Sequence, residues 1–203
     1  MTIAVGIYMF DEVEVLDFAG PFEVFSTAAR LGARQQPDQP APFRPTLIAD
    51  RARTVQTRGG LPIGCGASIA AHPPLDVLIV PGGVVDAELA RADVIAWIAR
   101  TAPTTRITAS VCTGAFLLAK AGLLDGRRAT THWEDVDDLR RQFPRVTVET
   151  GAPWVDEDRI VTSAGISAGI DMSLHLVSRL AGEPHARATA RQMDYHWRTP
   201  AGA

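Results

Sequence analysis

The sequence predicts an α/β fold, a mainly parallel β-sheet sandwiched by helices, on three observations. First, Ile3–Met9, Val77–Val80 and Ile107–Val111 are short and wholly or nearly apolar. Such runs suit strands buried on both faces, as in parallel sheets, and not the in–out alternation of a half-solvated sheet. Second, these runs alternate with stretches of helical periodicity, the order that builds a sheet covered on both sides. Third, the run ending at Val111 passes through Cys112-Thr113-Gly114 directly into a helical stretch. A tight strand-to-helix turn lifts a side chain above the carboxyl edge of the sheet, where open α/β sheets bind ligands.

The elements follow in order. Ile3–Met9 is the first strand, and Phe10–Glu14 an acidic loop. In the helix that follows, Phe22, Phe25 and Ala29 share a face, and Pro21 suits its first turn, where a missing N–H is no loss. Residues 34–45, rich in Gln and Pro, read as a surface loop running into a second strand, Phe43–Ala49. Val55–Ile63, broken by Gly59-Gly60, reads as a hairpin. Val77–Val80 is stopped by Pro81-Gly82-Gly83. A helix is predicted over Ala92–Ala102, then the strand Ile107–Val111 and a helix over Gly114–Ala121. Trp133–Gln142 has helical spacing, and Val146–Glu149 and Arg159–Ser163 read as strands, with Asp156-Glu157-Asp158 at a turn. Helices over Ala168–Leu180 and Pro184–Met193 complete the chain.

Composition narrows the function classes. At 203 residues and 46% hydrophobic content, residues 1–203 suit a single domain with a substantial core. The net charge is −3, and Arg127-Arg128 is too short a basic run to track phosphates, so no nucleic-acid partner is expected. No apolar run approaches the ~18 residues of a membrane span, and Met1–Met9 lacks the basic leader of a signal peptide. Two cysteines are too few for a disulfide scaffold, so free thiols in a reducing, cytoplasmic setting are expected. None of the five histidines pair at zinc-type spacing, and no metal or other cofactor is expected.

Cys112 is the candidate nucleophile. The helix starting behind it turns N–H groups and a positive dipole end toward the sulfur, which favours thiolate. The alternative is a buried cysteine acting as a small hydrophobe. Cys65, in Gly64-Cys65-Gly66, has no helix start behind it and is not expected to be catalytic. Asp17, between Leu16 and Phe18, is the candidate acid/base: apolar neighbours desolvate a carboxylate and raise its pKa toward neutrality. An N-cap role competes equally. Gly82-Gly83 is the candidate anion-binding wall, since glycines let backbone N–H groups approach a ligand, although a plain turn reads the same way. His132, in Thr130-Thr131-His132-Trp133, is placed to reach the same edge, with a structural histidine as the alternative.

Several blocks taken together resemble the ThiJ/PfpI superfamily over nearly the whole chain. They are Leu16-Asp17-Phe18-Ala19-Gly20-Pro21-Phe22-Glu23-Val24-Phe25, Val80-Pro81-Gly82-Gly83, Ser110-Val111-Cys112-Thr113-Gly114-Ala115, the segment Ala121–Trp133, and Thr162–Asp171. The resemblance implies a flavodoxin-like, class I glutamine-amidotransferase-like sheet with a nucleophile elbow at Cys112. The details are most similar to the isonitrile hydratase branch, which pairs the elbow cysteine with an aspartate, here Asp17, and has Thr after it, here Thr113. Protease-like relatives have His at that place. The implied activity is cofactor-independent hydration of an organic isocyanide to an N-substituted formamide. In that scheme Gly83 and Thr113 N–H groups stabilise charge, and the Thr113 hydroxyl orients Asp17. A small electrophilic substrate and a homodimer are the implied partners. Glyoxalase-like chemistry on a small dicarbonyl, or a thiol-based sensor or ligand-binding module, are the rival readings. The same domain fronts AraC-type regulators, which continue into a helix-turn-helix region; with the chain ending at Ala203, none is expected. The tail Tyr195-His196-Trp197-Arg198 departs from the branch's usual ending, and substrate choice would change if it lined the pocket or a dimer contact.

Overall fold

The computed structural model describes residues 1–198. Its first half builds the parallel core. Strand β1 (Ile3–Tyr8) leads to helix α1 (Val15–Gln35) and returns as β2 (Phe43–Ala49). A hairpin of β3 (Arg53–Gln56) and β4 (Pro62–Cys65) follows, then the two-residue β5 (Ala67–Ser68) and β6 (Val77–Val80). Helices α2 (Asp86–Leu89) and α3 (Ala92–Thr101) lead to β7 (Ile107–Val111) and α4 (Gly114–Lys120). Beyond it come β8 (Arg128–Ala129), α5 (Val136–Gln142) and β9 (Thr147–Val148). Strands β10 (Trp154–Glu157) and β11 (Ile160–Ser163) precede α6 (Ala168–Ala181) and α7 (Glu183–Gln192).

Seven strands form the main sheet in the order β10-β11-β7-β6-β1-β2-β5. Every pairing is parallel except β10 with β11. Helices α1, α6 and α7 pack together, and α2, α3 and α4 form a second group. The fully buried runs Val77–Val80 and Ile107–Val111 are the central strands. Each Val, Ile or Leu buried there contributes ~1.5–3 kcal/mol, which is why the apolar runs settle at the middle of the sheet.

Four local expectations change. Pro21 lies in the interior of α1, because the helix starts at Val15, capped by Glu14, whose carboxylate accepts the Val15 N–H at 3.2 Å. Asp17 is therefore a first-turn residue and not the cap. Pro21 also cannot donate to the carbonyl of Asp17, four residues back. The expected Trp133–Gln142 helix divides into a 3₁₀ turn at Trp133–Asp135 and then α5. The strand expected at Val146–Glu149 shrinks to the two residues of β9. Asp156 and Glu157 belong to β10, and the turn narrows to Asp158 and Arg159.

The chain's last described residues are tied down by a buried acid. Asp171, in the first turn of α6, has no solvent exposure. Its Oδ1 accepts the Arg198 N–H at 2.9 Å, and its Oδ2 takes Arg198 Nε at 3.1 Å and Nη2 at 3.0 Å. Trp197 Nε1 donates to the Asp171 carbonyl at 3.2 Å. Because the Arg198 side chain is 60% exposed, screening weakens the pair. Arg198→Ala should cost ~1–3 kcal/mol, mainly by leaving a buried carboxylate short of donors. Thermal unfolding should show the loss, and the Asp171→Asn/Arg198→Ala double variant should recover part of it.

Candidate active site

Cys112 follows β7 directly and precedes α4, with φ 56, the left-handed conformation that costs a non-glycine residue energy. The surroundings hold it there. Its N–H donates to Ser163 O at 3.2 Å, and its carbonyl accepts from Thr131 Oγ1 at 2.9 Å and Ala115 N at 3.3 Å. This is the backbone shape of a nucleophile elbow. Gly114 is required next, since a side chain there would run into the Val80 carbonyl.

Asp17 reaches the sulfur from the first turn of α1. It has no solvent exposure, and its Oδ2 accepts the Gly82 N–H at 3.0 Å. Oδ1 makes no conventional hydrogen bond, and the Cys112 thiol is the group that can share a proton with this carboxyl. Burial, opposed by the Gly82 N–H and aided by the charge of Glu14, pushes the Asp17 carboxyl up to about 7.

The sulfur is not the thiolate that the helix start alone implies. Burial first, then the charge of Asp17, pushes the Cys112 thiol up to about 12, although the Thr113 and Ile166 N–H groups favour its anion. Desolvation outweighs the dipole of a seven-residue helix. Cys112 and Asp17 behave as a pair. The first proton leaves the pair near pH 7, so above that pH the two groups carry one negative charge and one proton between them, shared between oxygen and sulfur.

The Gly82-Gly83 segment also plays a different part from the one expected. Gly82 N–H is engaged by Asp17, and Gly83 N–H by Thr113 Oγ1 at 2.9 Å. Thr113 Oγ1 in turn donates to Gly83 O at 2.9 Å, so the hydroxyl holds this loop and not Asp17. The donors that meet the sulfur are the N–H groups of Thr113 and Ile166. Gly82 is needed for closeness: a Cβ there would lie 2.5 Å from Thr113 Oγ1, 2.6 Å from Thr113 N and 2.9 Å from Asp17 Oδ2. Gly82→Ala should therefore displace both Asp17 and Thr113. A misplacement of this kind costs ~10²-fold in rate, so turnover should fall by about that factor while far-ultraviolet circular dichroism stays unchanged.

Cys112 and Thr113 open onto a cleft of about 350 Å³, whose lining also includes Gly83, His132 and Ile166. His132 packs against Gly165, where a side chain would collide with the ring. Its Nδ1 lies 3.4 Å from Asp135 Oδ2 and 3.8 Å from Glu134 Oε2. The structure thus gathers Cys112, Asp17, Thr113, Gly82, Gly83 and His132 at one end of the sheet. Cys65 lies in β4 as a buried thiol outside the cleft lining.

Sequence reasoning missed three contributors. Ile166 supplies a donor to the sulfur from φ 51, a conformation that Gly165-Ile166 does not advertise, because glycine is its usual bearer. Arg58, at the tip of the β3–β4 hairpin, and the acidic residues around α5 line the cleft, yet each reads as an ordinary solvated surface charge. Arg198 lines a separate hollow of about 810 Å³ beside Trp133 and Ile166, not the Cys112 cleft.

An open, mostly parallel sheet with a strained cysteine at the turn after β7 and a buried acid beside its sulfur defines an α/β protein with a cysteine elbow. The chain belongs to the DJ-1/PfpI family, whose model matches residues 3–179. It is 32% identical to an isonitrile hydratase of Pseudomonas putida over 196 residues, 96% of this chain and 79% of that protein. It is 30% identical to the HTH-type transcriptional regulator GbdR of Pseudomonas aeruginosa over 192 residues, 95% of this chain but 50% of the regulator. A ThiJ/PfpI family protein from Pseudomonas syringae has the same fold, with a TM-score of 0.84 at 27% identity, covering 100% of this chain and 79% of that one. Among the described residues, no helix is long and apolar enough to cross a membrane.

Proposed function

We propose that this chain hydrates small organic isocyanides to N-substituted formamides at Cys112, without a cofactor. The observation that carries the reading is the buried Asp17–Cys112 pair, with a carboxyl pushed up to about 7 beside the nucleophile. An isocyanide carbon must receive both a nucleophile and a proton, and this pair holds one of each.

The Cys112 sulfur attacks the terminal carbon of R–NC as Asp17 delivers its proton to that same carbon, giving the thioimidate R–N=CH–S–Cys112. Ionised Asp17 then takes a proton from water as the oxygen adds to the carbon and passes it to the imine nitrogen, so that it is ionised again at the end of the step. The resulting R–NH–CH(OH)–S–Cys112 collapses to R–NH–CHO, expelling the sulfur and returning the hydroxyl proton to the pair. The sum is R–NC plus water giving R–NH–CHO. Thr113 and Ile166 N–H groups stabilise the sulfur anion as attacker and leaving group. The Gly82 N–H holds the carboxyl, the Thr113 hydroxyl holds the Gly83 backbone beside it, and His132 walls the cleft.

The likeness to isonitrile hydratase supports this reading. The likeness to GbdR favours a second one, in which the domain binds a small molecule without turning it over. An assay of purified protein on aliphatic and aromatic isocyanides, with formamide followed by mass spectrometry, separates them. A parallel dicarbonyl panel tests the glyoxalase-like rival. Formamide formation well above the buffer rate is expected; its absence across the panel, with ligand binding retained, would favour the binding module. The family likeness also supports a homodimer, for which light scattering should give about twice the 21.8 kDa chain mass.

A further inference from the structure

One wall of the Cys112 cleft is built by α2, whose Asp86 and Leu89, with Val85 before them, line it. Four residues are too few to hold a helix by their own hydrogen bonds, and Val85 offers no side-chain cap. Helix α2 packs against α3 and α4, and a buried polar link adds to that packing. Glu88, in the middle of α2, is 6% exposed, and its Oε2 accepts the O–H of Tyr8, a fully buried residue at the end of β1.

The anchor is rigid. The Tyr8 ring is flanked by Phe10 and Trp97, with ring centroids 5.8 Å and 5.5 Å away. Trp97 is itself tied through Nε1 to His72 Nε2 at 3.0 Å. Arg91 stands by the other carboxylate oxygen, its Nη1 4.0 Å from Glu88 Oε1 and 3.0 Å from Asp50 Oδ2. Burial, which Tyr8 and Arg91 offset only in part, holds the Glu88 carboxyl above its ordinary range. A leucine at position 88 would pack there without desolvating a charge. What the carboxyl adds is a directional bond that fixes where α2 sits. The groups that meet the sulfur come from elsewhere, namely Asp17 of α1 and the N–H groups of Thr113 and Ile166.

We infer that the Tyr8–Glu88 hydrogen bond positions the α2 wall and so sets how large a substrate reaches Cys112. Tyr8 and Glu88 are then positioning residues for binding, not for the chemical step. This rests on reading the Cys112 cleft as the reaction site and adds a size determinant to it. A volume of about 350 Å³ lies at the small end of ligand pockets. With the bond cut, Val85, Asp86 and Leu89 are free to shift outward, the cleft widens, and a small isocyanide loses contact with its wall. The sulfur, its N–H donors and Asp17 stay in place, so substrate binding weakens while the chemical step keeps its rate.

In Tyr8→Phe and in Glu88→Leu, KM for a small alkyl isocyanide should rise ~3–10-fold, the worth of one net hydrogen bond, with kcat unchanged. The double variant should raise KM no further than either single change, because the same link is cut in all three. Glu88→Gln, whose amide oxygen can still accept the Tyr8 O–H, should recover most of what Glu88→Leu loses. A second arm needs no turnover. Iodoacetamide and the bulkier N-phenyliodoacetamide each form a thioether at the Cys112 sulfur and release iodide. Their rates at Cys112 are followed by intact mass and peptide mapping, and each is divided by its rate with a free small-molecule thiol. The normalised bulky-to-small ratio should rise in Tyr8→Phe and Glu88→Leu by a factor similar to that in KM, and fall back in Glu88→Gln. Circular dichroism checks folding; if Tyr8→Phe does not fold, the two Glu88 variants carry the comparison. Native KM and a native ratio overturn the inference, even with a lowered melting temperature, because Tyr8 and Glu88 then only support the fold. A fall in kcat with slower labelling by both reagents also overturns it, by placing the effect on the sulfur. A raised ratio in the variants, with no isocyanide hydrated by the native chain, sinks the hydratase reading and keeps the α2 wall. Native hydration with KM and the ratio unmoved does the reverse.

Discussion

Cys112→Ala should abolish isocyanide turnover while leaving the fold intact. The sulfur is the atom that forms and breaks the bond to substrate carbon; among the described residues no other thiol lines the cleft, and its one hydroxyl, Thr113 Oγ1, is bonded to both N and O of Gly83. Removing a nucleophile from a working unit lowers kcat by ~10⁶-fold in the best-measured hydrolase, so a loss beyond ~10³-fold is the expected result, read as formamide released per enzyme. Alanine keeps the left-handed backbone at φ 56 at a cost like that of cysteine. The bonds from Cys112 N–H to Ser163 O and from Thr131 Oγ1 to Cys112 O are main-chain anchors that survive the change. Thermal unfolding should therefore stay close to that of the native chain. Turnover within tenfold of native, roughly 1.4 kcal/mol in barrier, would remove Cys112 from the mechanism.

Why the elbow was legible and its electrostatics were not follows from what each depends on. The apolar runs at Val77–Val80 and Ile107–Val111 specify central parallel strands because burial on both faces demands apolar side chains at every position. The helix after Cys112 begins at Gly114 for a local steric reason, so strand, turn and helix are all written into consecutive residues. The state of the sulfur is written elsewhere. It depends on how completely α1, the Gly82-Gly83 loop and the Gly165-Ile166 loop close over it, and those segments lie far apart in the chain. The residues next to Cys112 reveal the helix dipole but not the larger desolvation cost. β10 escaped for a related reason: Asp156 and Glu157 look like a turn, yet they serve an edge strand where Asp156 meets His175 at 2.6 Å and Arg179 at 3.0 Å. The start of α1 was misplaced because Pro21 and Asp17 both carry strong terminus signals, whereas Glu14 is an uncommon cap.

Asp17→Asn should separate activity from stability in opposite directions. The amide is isosteric: its oxygen can accept the Gly82 N–H, and its NH₂ can face the Cys112 sulfur as the protonated acid does. It cannot give a proton to substrate carbon or take one from water. General acid–base groups contribute ~10²–10⁴-fold, so turnover should fall by at least ~10²-fold. The carboxyl titrates near the ordinary aspartate value of 3.8 in the unfolded chain and at about 7 in the folded one. Between those values the folded state holds the extra proton, so the native protein loses stability as pH rises from about 4 to about 7 and then levels off. Each tenfold change in proton affinity is worth ~1.4 kcal/mol, so the relief on removing the charge is at most a few kcal/mol. Asp17→Asn lacks this titration. Its melting temperature should match the native one near pH 4 and exceed it above about pH 7, where native Asp17 must ionise without solvent. Scanning calorimetry across that range checks the stability, and formamide release checks the rate. A variant that keeps native turnover would return Asp17 to a structural role in the first turn of α1. A melting temperature below native at pH 8 would show that the buried carboxylate is stabilised by a partner stronger than the Gly82 N–H.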